Sequence, residues 1–260
     1  MSGPPRTTVM MPAYNAEATL REAVESVLAQ TVGDLELIVA DNASAIPVDE
    51  VLSDITDARL RVIRRSRNTG TAGGRNTALR HARAALVSQL DADDAWEPDY
   101  LEHVLPCFDD PGVGLAYSNS HIVGHPMGHD DYIGDPTVHP MYTFPKIAEQ
   151  NPIPSPTATI RTEAARAVGG YALWLWMVAD YHMYLKLARA GWRFAYVHRQ
   201  LARYRWPSEE SGISYPPRRH ELWELIMFAS FVARHPLTQG PRRQVRMGLE
   251  RQFARNRGLA

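Results

Sequence analysis

The sequence predicts an α/β fold with a mostly parallel sheet flanked by helices and a helical C-terminal extension. Three observations carry this. Apolar runs of strand length alternate with segments of helical period through the first half of the chain. Those runs are apolar on both faces, as strands are when helices cover a sheet on two sides. Polar residues cluster just beyond the runs, at Pro12–Asn15, Asp41–Ser44, Arg67–Asn76 and Asp91–Asp94, where ligands bind in open parallel sheets. Asp and Asn also favour strand-ending turns, so no single end points to a site on its own.

The elements follow in order. TTVMM is a short strand closed by Pro12; Asn15 can cap the next helix, with Glu17 in its first turn. Leu20, Ala23, Val24, Val27 and Leu28 then make one helical face. ELIVAD is a strand that stops at Asp41, and a weaker helix near Val48–Ile55 leads into LRVIRR. Gly73–Ala85 reads as helix, LVSQL as the fourth strand, Tyr100–Phe108 as helix and GVGLAYS as the fifth strand. Residues 119–157 hold seven of the 19 prolines and four of the ten histidines without a clear period, which predicts a long functional loop. TATIR, a helix at Thr162–Val168, a GGY turn, a helix at Asp180–Ala190 ended by Gly191, and FAYV follow. Helices at Arg219–Arg234 and Pro241–Arg255 complete the chain.

Charge and composition narrow the function. Over 260 residues, 28 basic side chains face 29 acidic ones, a net charge of −1 that lacks the basicity of a nucleic-acid binder. The single cysteine, Cys107, excludes an intrachain disulfide framework and fits a reducing, cytoplasmic setting. No apolar run is long enough for a membrane span, and the first one is too short for a signal peptide. Charge is uneven: residues 218–260 carry nine Arg against three Glu. The expected organisation is a catalytic body over 1–217 and a basic helical extension over 218–260 with its own contact, a dimer partner or the inner face of a membrane.

The strongest chemical signal is LVSQLDADDAW. Asp91, Asp93 and Asp94 sit together after an apolar strand, and such close like charges repel unless a cation offsets them. Hard oxygen ligands suit Mg²⁺ or Mn²⁺. The alternative is an acidic first turn of the following helix. NTGTAGGRNTAL reads equally as a phosphate cradle or as a helix-entry turn, with Arg75 available for charge-assisted bonds to a diphosphate. ALWLWMV alternates as a strand with one buried face would, and Trp174 and Trp176 there could instead meet an acceptor. His125, His129, Asp130 and Asp131 are interrupted by Pro and Gly, which favours a mobile loop over the acceptor rather than a second metal cluster.

PAYNAEATLREAVESVLAQT, ELIVADNAS, NTGTAGGRN and LDADD, then GGY, Asp180 and the Tyr204–Arg205 pair, resemble the family 2 glycosyltransferases, inverting enzymes of the GT-A fold, over about Thr7 to Arg205. The resemblance implies that Tyr14 packs on a nucleotide base, with Pro12 and Ala13 beside it, and that Asp41 accepts a hydrogen bond from the base. It implies Arg75 near the diphosphate, Asp91, Ala92 and Asp93 at ribose and metal, and Asp180 as catalytic base. Two departures stand out. Ala179 precedes Asp180 where the family commonly has Glu, with His182 where a further carboxylate is usual, and Pro207 replaces a histidine often found near the metal. His182 and His198 are the candidate substitutes.

The expected function is transfer of a sugar from a nucleoside diphosphate sugar, UDP by family habit, to an acceptor hydroxyl on a glycan, a lipid-linked molecule or a small molecule. Mn²⁺ or Mg²⁺ assists. Two rivals remain: a nucleotide-sugar-binding protein without turnover, and a sugar-nucleotide nucleotidyltransferase. The second wants a Gly-rich phosphate loop after the first strand, where this chain has PAYNAEATL.

Overall fold

The computed structural model describes residues 3–134, 146–148, 151–206 and 217–234, with side chains in the last stretch from 222 onward. Its strands are β1 (Thr7–Ala13), β2 (Leu35–Asp41), β3 (Leu60–Arg64), β4 (Leu86–Gln89), β5 (Ala95–Trp96), β6 (Val113–Val123), β7 (Thr159–Arg161) and β8 (Arg193–Arg205). They form one sheet in the order β3-β2-β1-β4-β7-β6-β8-β5. β1 to β4 are mutually parallel. β7 lies antiparallel between β4 and β6, β8 returns parallel to β6, and the two-residue β5 pairs antiparallel with β8. The sheet is thus mostly parallel, as predicted, with β7 and β5 reversed.

Alternation along the strands explains why helices cover both faces. Val9, Met11, Leu37 and Val39 point to one side and pack with Leu20, Ala23 and Val24 of α1 (Leu20–Leu28) and Leu101 and Val104 of α4 (Tyr100–Val104). Met10 and Ile38 point to the other. They join Ala78 of α3 (Gly70–His81), Ala164 of α5 (Thr162–Ala167), Leu185 of α6 (Ala179–Arg189) and Phe228 of α7 (Pro217–Arg234). The side chains of Met227, Phe228 and Phe231 are fully enclosed, so the apolar stretch predicted at Leu222–Val232 docks on the body through that stripe. The helix predicted at 241–255 lies outside the described residues.

Several predicted boundaries move. β1 runs through Pro12 to Ala13: the ladder to β4 stops at Met10, so a residue without an N–H is tolerated there. Asn15 does not cap α1. It takes a positive φ, its backbone N–H donates to Ser44 Oγ at 3.1 Å, and its side chain accepts the Ala45 N–H at 2.9 Å. The predicted Val48–Ile55 helix shrinks to α2 (Val48–Val51), and Tyr100–Phe108 changes after Val104 to a 3-10 turn containing Pro106. α3 begins at Gly70, not Gly73. β6 extends five residues into the predicted loop, and β8 extends through Tyr204–Arg205, because these two strands pair with each other along their polar ends. Residues 171–178 form turns rather than the expected strand, leaving Trp174 and Trp176 partly exposed while Leu175 is buried.

Two glycines of α3 are required by packing. A Cβ on Gly74 would lie 2.6 Å from Pro12 Cβ, and one on Gly73 would lie 2.6 Å from the Arg65 guanidinium. Bare backbone at these positions lets α3 close onto β1, which delivers the next residue, Arg75, beneath the carboxyl end of the sheet.

Candidate active site

The carboxyl ends of β1, β2 and β4 converge as the alternation predicts. Asp91 to Asp94 form a tight turn closed by the Asp94 N–H on the Asp91 carbonyl at 3.2 Å. β5, not a helix, follows, which removes the reading of these residues as an acidic helix start. The turn is held from two sides. Thr19 Oγ1 donates to the Ala92 carbonyl at 2.9 Å, so Ala92 is enclosed beneath α1. The Arg205 N–H donates to Asp94 at 2.8 Å, and Arg205 Nε donates to the Asp93 carbonyl at 3.0 Å. The Tyr204–Arg205 pair therefore braces the acidic turn from the end of β8.

Charge is poorly balanced within the turn. Burial and repulsion from Asp91 push the Asp93 carboxyl up to about 6. Burial, with Asp93 and Asp91 close by, raises Asp94 well above the usual carboxylate range. Asp91 has a partner: Arg75 Nη2 donates to both its oxygens at 2.7 and 2.9 Å, and to Ser155 Oγ at 2.7 Å. Arg75 is itself buried. Burial opposes its charge, but Asp91, then Tyr171 and Asp180, more than offset this and hold its pKa above the ordinary value. The structure thus places Arg75 on Asp91.

Ser155 was not foreseen. It sits on a 3-10 turn (Ser155–Thr157) anchored where Trp96 Nε1 donates to the Pro156 carbonyl at 2.6 Å and Tyr100 Oη donates to the Thr157 carbonyl at 2.8 Å. Tyr171, in the GGY turn, was also unassigned. Its ring lies 5.7 Å from the Arg75 guanidinium carbon, and burial raises its hydroxyl pKa. Among the described residues, Tyr171 Oη and Arg75 Nε are buried without a hydrogen-bond partner. Two donors beside the Asp91 carboxylate lack acceptors, and buried donors rarely stay so.

Asp180 opens α6, and its Oδ1 accepts the Tyr181 N–H at 2.8 Å. The preceding residue, Val178, has φ 52. A β-branched residue in the left-handed region is costly, and such strain gathers where a side chain must be aimed. Asn15 and Ala43 are the other non-glycine residues of positive φ among those described, in the loops after β1 and β2. Burial, and secondarily the Asp180 charge, raise the hydroxyl pKa values of Tyr132, Tyr171 and Tyr184, so Asp180 lies within electrostatic reach of these phenols and of Arg75.

The remaining predicted residues fall in different settings. Tyr14, half exposed, stands free at the end of β1 beyond buried Pro12 and Ala13. Asp41 is enclosed: one oxygen accepts the Ser44 N–H at 2.8 Å, and the other accepts Arg64 Nη1 at 2.9 Å and the Val48 N–H at 3.4 Å. Trp176 covers Gly70 at the start of α3. The Trp174 ring lies 5.8 Å from that of His182 and 5.2 Å from the Arg234 guanidinium carbon. The substitute ligands are not drawn to the acidic turn. His182 is buried against Trp174 and Phe231, and His198 leans on Tyr196. Pro207 lies outside the described residues. No three His, Cys, Asp or Glu side chains among those described gather round one point, including His125, His129, Asp130 and Asp131. Asp93, buried beside the Arg75-paired Asp91, nevertheless offers hard carboxylate oxygens of the kind that fit a divalent cation completed by water and phosphate oxygens.

Comparison with known proteins follows the same lines. Residues 8–165 match the profile described as Glycosyl transferase family 2. Over 118 residues the chain is 32% identical to the UDP-Glc:alpha-D-GlcNAc-diphosphoundecaprenol beta-1,3-glucosyltransferase WfgD of Escherichia coli, covering 45% of this chain and 47% of that protein. The chain thus spans about half the length of that curated relative. In fold it is similar to S. aureus TarS (residues 1–349) in complex with UDP-GlcNAc, with a TM-score of 0.77, 17% identity, and coverage of 96% of this chain and 73% of that one. It is also similar to the mannosyltransferase PcManGT of Pyrobaculum calidifontis in complex with GDP-Man and Mn2+, with a TM-score of 0.69, 21% identity, and coverage of 99% and 73%. The architecture is that of the GT-A glycosyltransferases.

Proposed function

Because the chain belongs to glycosyl transferase family 2, we propose that it moves a sugar from a nucleoside diphosphate sugar to an acceptor hydroxyl, with inversion and with Asp180 as general base. The observation that carries this is the convergence on Arg75: Asp91 bonds it directly, and Asp180, at the start of α6, lies close enough for its charge to favour the guanidinium. Donor-binding and base chemistry then share one pocket. UDP is the favoured nucleotide, since the E. coli relative is named for UDP-Glc and the S. aureus neighbour binds UDP-GlcNAc.

In this reading Tyr14 stacks on the base, while Asp41 fixes the loop beneath it by holding Ser44 and Arg64. Arg75 Nε and Tyr171 Oη, which lack acceptors, point to diphosphate or sugar oxygens. Asp91 and Asp93 would hold Mn²⁺ or Mg²⁺, which when bound neutralises charge on the departing diphosphate. Asp180 takes the acceptor proton as the hydroxyl attacks the anomeric carbon from the face opposite the diphosphate. A single direct displacement inverts configuration, by the logic that governs single-step glycoside chemistry. Ala179 removes a neighbouring acid, which leaves Asp180 as the base of this helix turn. Trp174 and Trp176 stand on the acceptor side, where their faces suit a sugar or an apolar aglycone. The acceptor is a glycan, a lipid-linked molecule or a small molecule. Residues 218–260 are proposed as a basic extension docked through α7, available for dimer or peripheral membrane contact.

The test is turnover by Asp180→Asn. UDP release from UDP-sugars in the presence of acceptor is expected to fall by about 10²–10⁴-fold, the usual contribution of a general base. UDP affinity should be unchanged. Near-normal turnover would remove Asp180 from the mechanism, and donor binding without release in the unmodified chain would favour a binding protein.

A further inference from the structure

Residues 59–83 contain eight arginines and no Lys, Asp or Glu. Five of these arginines are ion-paired in the fold: Arg59 with Asp57, Arg64 with Asp41, Arg75 with Asp91, and Arg61 and Arg83 sharing Glu36. Arg65, Arg67 and Arg80 are not: none makes an ion pair among the described residues. They lie close enough to repel, since burial first, then Arg80 and Arg67, lower the Arg65 pKa. Arg67 and Arg80 are exposed. A cluster of like charges without counterions is retained where an anion outside the chain supplies them.

This cluster is continuous with an apolar patch. Arg65 Nη1 donates to Asn42 Oδ1 at 2.6 Å, and Asn42 Nδ2 donates to the Gly70 carbonyl at 3.2 Å. The Trp176 ring covers Gly70, its nearest atom 3.5 Å from where a Cβ would stand. Beside it Leu173, Trp174 and Trp176 are 57%, 37% and 44% exposed, well above what packing of such side chains requires. Arg234 lies over Trp174 and extends the positive rim to the end of α7. Adjacent Trp and Leu rimmed by unpaired arginines suit the boundary of a bilayer, where indole rings sit at headgroup depth and guanidinium groups meet anionic headgroups.

We propose that the face formed by Leu173–Trp176, Arg65, Arg67 and Arg80 docks on an anionic lipid surface. The occupant is argued from charge complementarity together with the exposed aromatic side chains. The inference does not depend on the proposed transfer reaction, because it concerns adhesion and can be read without donor or acceptor.

The test is flotation of the full chain with vesicles of phosphatidylcholine alone or mixed with phosphatidylglycerol, at low and high salt. Binding is expected only to the mixed vesicles, weakening with salt. The double variant R67E/R80E should weaken it at least about 25-fold, at about fivefold per arginine lost from an anionic surface, and the single variant L173D about tenfold or more, through the lost apolar insertion of one leucine. Unchanged circular dichroism and thermal midpoint would show that the variants fold. Equal flotation of all three proteins would overturn the proposal, as would binding to neutral vesicles alone or no flotation at all. Self-association that L173D abolishes, without vesicle binding, would instead make this face a contact between two copies.

Discussion

Gly74 shows how much of the site depends on one hydrogen atom. Only a residue without Cβ lets α3 lie on Pro12, and the next residue must reach Asp91 from beneath the sheet edge. Gly74→Ala forces a methyl group to 2.6 Å from Pro12 Cβ and 3.1 Å from Asn42 Nδ2. Both neighbours are held by the fold, so neither can give way cheaply. Destabilisation of about 1–3 kcal/mol is expected, read as a loss of several degrees in thermal midpoint. A wild-type midpoint would mean that α3 can shift without cost. At this scale the sequence was half legible. The acidic turn, Arg75, Asp180 and Tyr14 carry their chemistry in residue type and spacing. Ser155 does not, because it reaches Arg75 across a proline-rich segment whose position depends on Trp96 and Tyr100. The strain at Val178 leaves no mark on the sequence, since valine is an ordinary residue until φ is known.

The helices and strands were legible where burial sets a period. α1, α6 and the apolar centres of β1 and β2 carry their period openly, and their limits moved by only a few residues. The polar ends of β6 and β8 escaped, because two strands that pair with each other near the surface need no apolar alternation. β5 is two residues long and hidden behind the acidic turn. The junction of α5 and α6 carries its own prediction. Lys186 Nζ donates to the Val168 carbonyl at 2.9 Å and to the Gly170 carbonyl, satisfying the end of α5 and the glycine turn before Tyr171. Burial pushes its pKa down to about 8 from the ordinary 10.5. Between those values the unfolded chain holds a proton that the folded chain has lost, so stability rises with pH across that window. Partial exposure limits the gain to on the order of 1–2 kcal/mol. In Lys186→Met that rise should vanish, as measured by urea midpoints below and above the window. An identical pH profile for the two proteins would mean that the lysine keeps its proton in the fold.

Across the whole molecule, the two sheet faces and the charge distribution do separate work. One layer of helices, α3, α5, α6 and α7, carries the groups that meet at the site: Arg75 from α3 and Asp180 from α6, with Arg234 of α7 reaching Trp174. No helix among the described residues is long and apolar enough to cross a membrane. The uncompensated arginines beside α3 offer the surface for the lipid contact proposed above. The overall near-neutral charge concealed this, because the eight arginines of residues 59–83 are offset in the sum by acidic residues spread along the rest of the chain. The most direct test of the central claim is a calorimetric titration of UDP into the full chain, with Mn²⁺ or with EDTA, on the unmodified protein and on Asp93→Asn. UDP should bind in Mn²⁺ and lose at least about tenfold in affinity, roughly 1.4 kcal/mol, both in EDTA and in the variant. UDP binding that ignores both changes, or no binding under any condition, would contradict a metal-assisted nucleotide-sugar site at Asp91–Asp93.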